Sequence, residues 1–121
     1  MLRHEHLLVR AEVANPPTCP KFIESWLANL VRSLGMKIMI GPIAEYSNVV
    51  GNEGVTGVVV LNTSHSCVHV WHLDSPAVVQ LDVYSCAAID KQLIFNLLEE
   101  FRPTHIDYKF LDREKGFKEI L

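Results

Sequence analysis

The sequence predicts an α+β fold: a two-layer α/β sandwich with a largely antiparallel sheet and helices gathered on one face. Three observations predict it. Strand-like runs outnumber helical ones, three of them follow one another across short breaks, and the two helical segments are amphipathic, each with one apolar stripe to lay on a sheet. The order is strand, helix, strand, three strands, helix, strand. At 121 residues, with 49% apolar and 21% charged side chains, the chain reads as one domain over residues 1–121, with a core that needs no metal or disulfide staples.

Residues 4–13 alternate in the manner of a strand, and Asn15-Pro16-Pro17 ends it because proline has no N–H for a ladder. Over residues 21–34, Phe22, Ile23, Trp26, Leu27, Leu30, Val31 and Leu34 recur at intervals of three and four. Pro20 suits the first turn of this helix and Gly35 its stop. Residues 37–40 form a short strand closed by Gly41-Pro42, and residues 43–54, with Tyr46, Asn48, Gly51, Asn52 and Gly54, read as a loop of functional size. Residues 55–61, 66–71 and 77–85 are β-rich. Asp90 is a good N-cap for a second helix to Phe101, with Leu93, Ile94, Leu97 and Leu98 on one side and Arg102-Pro103 as its stop; residues 105–111 form the last strand. Val58-Val59-Val60-Leu61 and Ala77-Val78-Val79 lack strict alternation, so both sheet faces are expected to be covered, one by helices and the other by a second subunit. A mean hydropathy of +0.16 also favours an oligomer.

A net charge of −3 and no basic run leave neither a nucleic-acid footprint nor a polybasic membrane patch. No apolar stretch approaches the roughly eighteen residues that a membrane helix requires, and the first ten residues lack the apolar core of a signal peptide. Three cysteines, Cys19, Cys67 and Cys86, with no C-x-x-C pair, point to a reducing cytoplasm. His65, His69 and His72 would share a helix face suited to metal, but valines alternate with Cys67, His69 and Trp71, so a strand is expected and no metal site.

The polar string at the end of the third strand is more specific. Gly54-Val55-Thr56-Gly57 is followed by Thr63-Ser64-His65, then His69-Val70-Trp71, then Leu81-Asp82-Val83-Tyr84-Ser85-Cys86. In order and spacing this resembles the prokaryotic type of S-adenosylmethionine decarboxylase. That pattern has a Gly-Val-Ser/Thr-Gly strand, a Ser-His pair, a histidine five after the serine followed by x-Trp, and an Asp-Val-Tyr/Phe-x-Cys strand. The Thr-Ser-His and Gln-Leu-Asp-Val-Tyr wording looks most like divergent forms carried by some marine bacteriophages, which would place the protein in a host cytoplasm.

The resemblance implies a cofactor made from the chain itself. In this family the serine hydroxyl attacks the preceding carbonyl, the peptide becomes an ester, and β-elimination with loss of ammonia leaves a pyruvoyl group. Carried over, cleavage falls at Thr63-Ser64. Residues 1–63 then form the β chain, and residues 64–121 the α chain that begins with the pyruvoyl group formed from Ser64. Thr56 matches the hydroxyl that assists, His69 the histidine that removes the Cα proton, and Cys86 the thiol that returns a proton after an imine with S-adenosylmethionine has lost carbon dioxide. A thiol near its ordinary value is protonated at neutral pH, as that role requires. Cys19 and Cys67 match nothing in the pattern and read as small buried apolar side chains. A homodimer with its sheets face to face, in four layers, is implied as well.

The substrate side departs from the pattern. Where the family follows its tryptophan with Pro-Glu, this chain reads Trp71-His72-Leu73-Asp74, so Leu73 stands where the ribose-binding glutamate is expected and Asp74 is the nearest carboxylate. The family's adenine-stacking aromatic falls at Val50, with Tyr46 the nearest replacement, while Trp71 remains for adenine or the sulfonium. The expected activity is decarboxylation of S-adenosylmethionine to the aminopropyl donor for spermidine. The same chemistry on L-ornithine or L-arginine, or an unprocessed homologue serving as a binding or regulatory partner, are the alternatives.

Overall fold

The structure, a computed structural model, describes residues 3–121. In chain order it contains β1 (Glu5–Val13), α1 (Pro20–Ser33), β2 (Ile38–Ser47), β3 (Gly54–Leu61), β4 (Ser64–Trp71), β5 (Ala77–Ser85), α2 (Lys91–Leu98) with a 3₁₀ turn (Glu99–Phe101), β6 (Pro103–Asp112) and a short β7 (Lys118–Glu119). The strands form one antiparallel sheet in the order β2-β3-β4-β5-β1-β6-β7. The helices share one face, which confirms the α+β sandwich.

Each helix forms where its caps and apolar stripe coincide. Pro20 occupies the first turn of α1, whose buried stripe is Ile23, Trp26, Leu27, Leu30 and Val31. The Asp90 carboxylate accepts the Leu93 N–H at 3.2 Å and starts α2, which buries Ile94 and Leu98. Under the helices lie Leu7, Val9 and Ala11 of β1, Val55 and Val59 of β3, Val68 and Val70 of β4, and Leu81 and Val83 of β5.

Burial alternates strictly along β4: Ser64, Ser66, Val68 and Val70 face the helices, while His65, Cys67, His69 and Trp71 face away. Val58, Val60 and Val78, which break the sequence alternation, lie on that second face, Val60 36% exposed and Val78 7%. Among the described residues no layer covers this face. It is a mixed surface on which His6, Arg10, Gln80, Asp82 and Lys109 stand beside the valines.

Several boundaries differ from expectation. β2 does not stop at Gly41-Pro42 but continues to Ser47 with register shifts, so Tyr46 sits on a strand. An edge strand tolerates proline, because one side of it needs no ladder donor. β4 begins at Ser64, two residues early, and α2 proper ends at Leu98. Cys19 is exposed and Cys67 only half-buried, so neither is the buried apolar side chain expected.

Two glycines set the spacing around β3. A Cβ on Gly57 would come within 2.6 Å of Ile23 Cγ2 and 3.0 Å of Leu27 Cδ1, so α1 packs directly on the backbone there. Gly54, at φ 153°, passes so close to β4 that a Cβ would meet the Val70 carbonyl oxygen at 1.7 Å. Gly57→Ala is therefore expected to lower stability by about 1–3 kcal/mol in urea unfolding. Gly54→Ala should cost more, because backbone cannot step aside as a side chain can.

Candidate active site

Asn62 and Thr63 form the turn between β3 and β4, and Leu61 pairs with Ser64 directly beyond it. Thr63 has φ 51°, a left-handed conformation that a β-branched residue adopts only under strain, worth about 1–3 kcal/mol. Ser64 follows, 8% exposed, and its Oγ accepts the Cys86 N–H at 3.0 Å. The Cys86 thiol reaches the Asn62 carbonyl at 3.5 Å.

Three further hydrogen bonds hold Cys86 and the segment around it in place. Its carbonyl accepts the Arg3 N–H at 2.8 Å, the Ser85 Oγ accepts the Ala87 N–H at 2.9 Å, and the buried Glu5 carboxylate accepts the Ile89 N–H at 2.8 Å. A cleft of about 280 Å³ beside Ser64 is lined by Met36, Lys37, Asn62, Ser85 and Cys86 among others. Ligand pockets usually span roughly 300–1,000 Å³, so this one is small for a substrate by itself.

The other sequence-predicted residues gather at the far end of β4. Thr56 lies opposite His69 in the β3–β4 ladder, and its Oγ1 is 3.0 Å from His69 Nδ1. The other ring nitrogen of His69, Nε2, is 3.3 Å from Cys67 Sγ. Trp71 lies beside His69, ring centroids 6.1 Å apart, and its indole N–H donates to the Asn52 side chain at 2.7 Å. The Tyr46 hydroxyl is 3.4 Å from His72 Nε2. Asp74 is exposed in the turn after β4, next to an exposed Leu73, and Val50 is 91% exposed.

Two clusters result, Ser64 with Cys86 and Thr56 with His69, Trp71 and Tyr46, and they do not meet within one chain. Five residues of β4 at about 3.3 Å each place His69 about 16 Å from Ser64. The odd separation also turns their side chains to opposite faces of the sheet. Sequence reasoning missed three members: Cys67, His72 and Asn52. For Cys67 the available signal was its i, i+2 spacing from His69, which on a strand means the same face.

Electrostatics divide the cysteines. Hydrogen bonds from Thr63 first, then Ser64, hold the Cys86 thiol below its ordinary value, contrary to the expectation of an unshifted thiol. Burial, with Asp82 second, pushes Cys67 up. Asp82 itself is held below the usual carboxylate range by His6, whose ring nitrogen is 3.7 Å away. Burial lowers His65, and His6 adds to the effect. Near His69 the second face carries a cavity of about 550 Å³ bordered by Arg10, Gln80, Asp82, Asp107 and Lys109.

A family model described as S-adenosylmethionine decarboxylase matches residues 6–114. Two curated relatives are named "S-adenosylmethionine decarboxylase proenzyme". The one from Hydrogenobaculum sp. (strain Y04AAS1) is 36% identical over 63 residues, covering 50% of this chain and 46% of the relative. The one from Archaeoglobus fulgidus is 37% identical over 63 residues, covering 50% and 54%. The chain thus spans about half the length of the curated relatives it matches. The crystal structure of the adenosylmethionine decarboxylase from Aquifex aeolicus VF5 superposes with a TM-score of 0.70 over 99% of this chain and 96% of that one. At 21% identity this likeness shows the fold alone.

The opposite shifts of the cysteines predict an order of alkylation. With limiting iodoacetamide at neutral pH, peptide mapping of a Ser64→Ala chain, which keeps the Thr63 contact that is the larger cause of the lowering, should find Cys86 modified before Cys67. The rate at Cys86 should also reach its plateau at the lower pH, since the thiolate is the nucleophile.

Proposed function

This chain belongs to the S-adenosylmethionine decarboxylase family, and on that premise we propose that it cleaves itself between Thr63 and Ser64, converts Ser64 to a pyruvoyl group, and decarboxylates S-adenosylmethionine to the aminopropyl donor for spermidine synthesis. The Thr63-Ser64 junction carries the proposal. A strained residue precedes a serine whose Oγ is already oriented by the Cys86 N–H, and breaking the bond relieves the strain. Ser64 Oγ adds to the Thr63 carbonyl carbon and the C–N bond breaks, giving an ester with a free amine at residue 64. A base takes the Ser64 Cα proton, the Thr63 carboxylate leaves from Cβ, and water replaces the nitrogen, which departs as ammonia.

The residues around position 64 suit such a group. The Cys86 N–H, bonded now to Ser64 Oγ, is the donor at that position, and Met36 and Lys37 border the cleft. A pyruvoyl group there supplies an electron sink for the pair left behind as carbon dioxide departs. The Cys86 thiol holds the proton to be returned to the α-carbon. Processing consumes the Ser64 hydroxyl, one of the groups that lower this thiol, and so moves it back toward its ordinary, protonated range. Trp71 and Tyr46 offer aromatic faces to adenine or the sulfonium, and Asp74 an exposed carboxylate to the ribose hydroxyls. The three unpaired cysteines suit a cytoplasmic setting.

The distance along β4 supports a homodimer. Thr56 and His69 serve Ser64 only if a second copy supplies them, its sheet packed face to face on this one. The uncovered second face, with its cavity and its valines, is the surface for that packing.

Two outcomes check the proposal. Denaturing mass analysis should find residues 1–63 and a chain from residue 64 without a free amine; Ser64→Ala should abolish this cleavage and Ser66→Ala should not. Full-length native-sequence protein after long incubation would overturn self-processing, and product analysis with S-adenosylmethionine, L-ornithine and L-arginine identifies the substrate. For the dimer, Ser64→Ala and His69→Ala chains are co-expressed. Each mixed dimer should regain one intact site and make pyruvoyl on the His69→Ala chain; no recovery over the separate variants would count against a shared site.

A further inference from the structure

Resting on the role proposed above for Thr56 and His69, we propose that Cys67 is a positioning residue for the self-processing step: its thiol donates to His69 Nε2, fixes the ring in the Nδ1–H tautomer, and thereby aims the Thr56 hydroxyl proton at the developing oxyanion. The motif that identifies the family does not include Cys67. On β4 residues two apart share a face, so Cys67 and His69 stand side by side while the β3–β4 register places Thr56 across from His69. Both ring nitrogens are engaged, Nδ1 with Thr56 Oγ1 at 3.0 Å and Nε2 with Cys67 Sγ at 3.3 Å.

A neutral imidazole has one donor and one acceptor, so only two arrangements exist. In the first, the thiol donates to Nε2 and Nδ1–H donates to Thr56. In the second, Thr56 donates to Nδ1 and Nε2–H must use the sulfur as acceptor. Sulfur accepts weakly, whereas a hydroxyl oxygen accepts well, so the ring N–H gains more from Thr56. Burial, which pushes the Cys67 thiol up, keeps its proton in place and supports the first arrangement.

The choice has a chemical consequence. When Thr56 accepts from Nδ1–H, its own hydroxyl proton is not spent on the ring. Thr56 is exposed on the uncovered face, so that proton is available to charge arriving from outside the chain. At the same time Nε2 stays bare, as a base must. A thiol is a weak donor, so it selects the nitrogen without holding it: rotation of the Cys67 side chain frees Nε2 when the Cα proton arrives.

The test reads the tautomer directly. In the uncleaved Ser64→Ala protein, ¹⁵N NMR of the His69 ring should show a protonated Nδ1 and a bare Nε2. Adding Cys67→Ala should turn this into a mixture, and adding Cys67→Ser should restore it. In the otherwise native chain, Cys67→Ala should slow pyruvoyl formation about 3- to 10-fold, the size of one hydrogen bond, with the hydroxylamine-sensitive ester accumulating. Cys67→Ser should recover most of the rate. A tautomer that does not change when Cys67 is removed, or an Nε2–H ring in the Ser64→Ala protein, would overturn the proposal. Since the ring is read in uncleaved protein, failure of the native chain to process itself overturns the function proposed above and not the tautomer.

Discussion

Close backbone contact at β3 is the constraint on which the rest of the structure depends. At Gly57 α1 rests on the strand with no room for a methyl group, and at Gly54 β4 crosses within contact of the same strand. Between them these contacts tie β3 to the helix layer on one side and to β4 in its own plane. The register that follows pairs Thr56 with His69, the cross-strand contact at the centre of the candidate chemistry. A larger residue at either position would have to move the helix or the strand, and either movement would be transmitted to that pair.

The same hairpin explains why the candidate residues fall into two groups. Its turn is tight, and tightness places Thr63 in the left-handed region and Ser64 at the first strand position, where the chain from Cys86 meets it. The strand then carries His69 and Trp71 away at its fixed rise, so a motif compact in sequence becomes extended in space. Compactness in sequence implies compactness in space on a helix but not on a strand. That geometry is why a second copy belongs in the functional proposal.

The uncovered face is polar in an organised way. His6 approaches Asp82 at 3.7 Å and is itself bonded by Arg113, which lies over the Tyr84 ring at 4.6 Å, and the Tyr84 hydroxyl meets His4. The hydrogen bond from His6 holds the Asp82 carboxyl below the usual carboxylate range, while burial keeps His65 toward its neutral form. Among these polar side chains Val58, Val60 and Val78 supply apolar area. This mixture is why the sequence alternation looked imperfect along β3 and β5.

Element types and their order were legible in the sequence, because periodicity and capping are local: the α1 stripe from Ile23 to Val31, the Asp90 cap and the bounds of β5 follow from neighbours a few residues apart. So was the motif that places the chain in its family, since His69 stands five residues after Ser64 and Cys86 closes an Asp-Val-Tyr-x-Cys strand, though two residues farther from His69 than the pattern has it. The path of β2 through Pro42 was not, because an edge strand's tolerance of proline depends on which strand is outermost. Nor were the engagement of Cys67 with His69 or the downward shift at Cys86, for these depend on rotamers and on hydroxyls brought in from another strand. Sequence alone determined the type of most segments, though not that of residues 43–47, and the family to which their motif belongs. Tertiary structure decided which residues meet, because cross-strand register is set by turn geometry and by close backbone approach at two glycines, neither of which leaves a periodic trace in the chain.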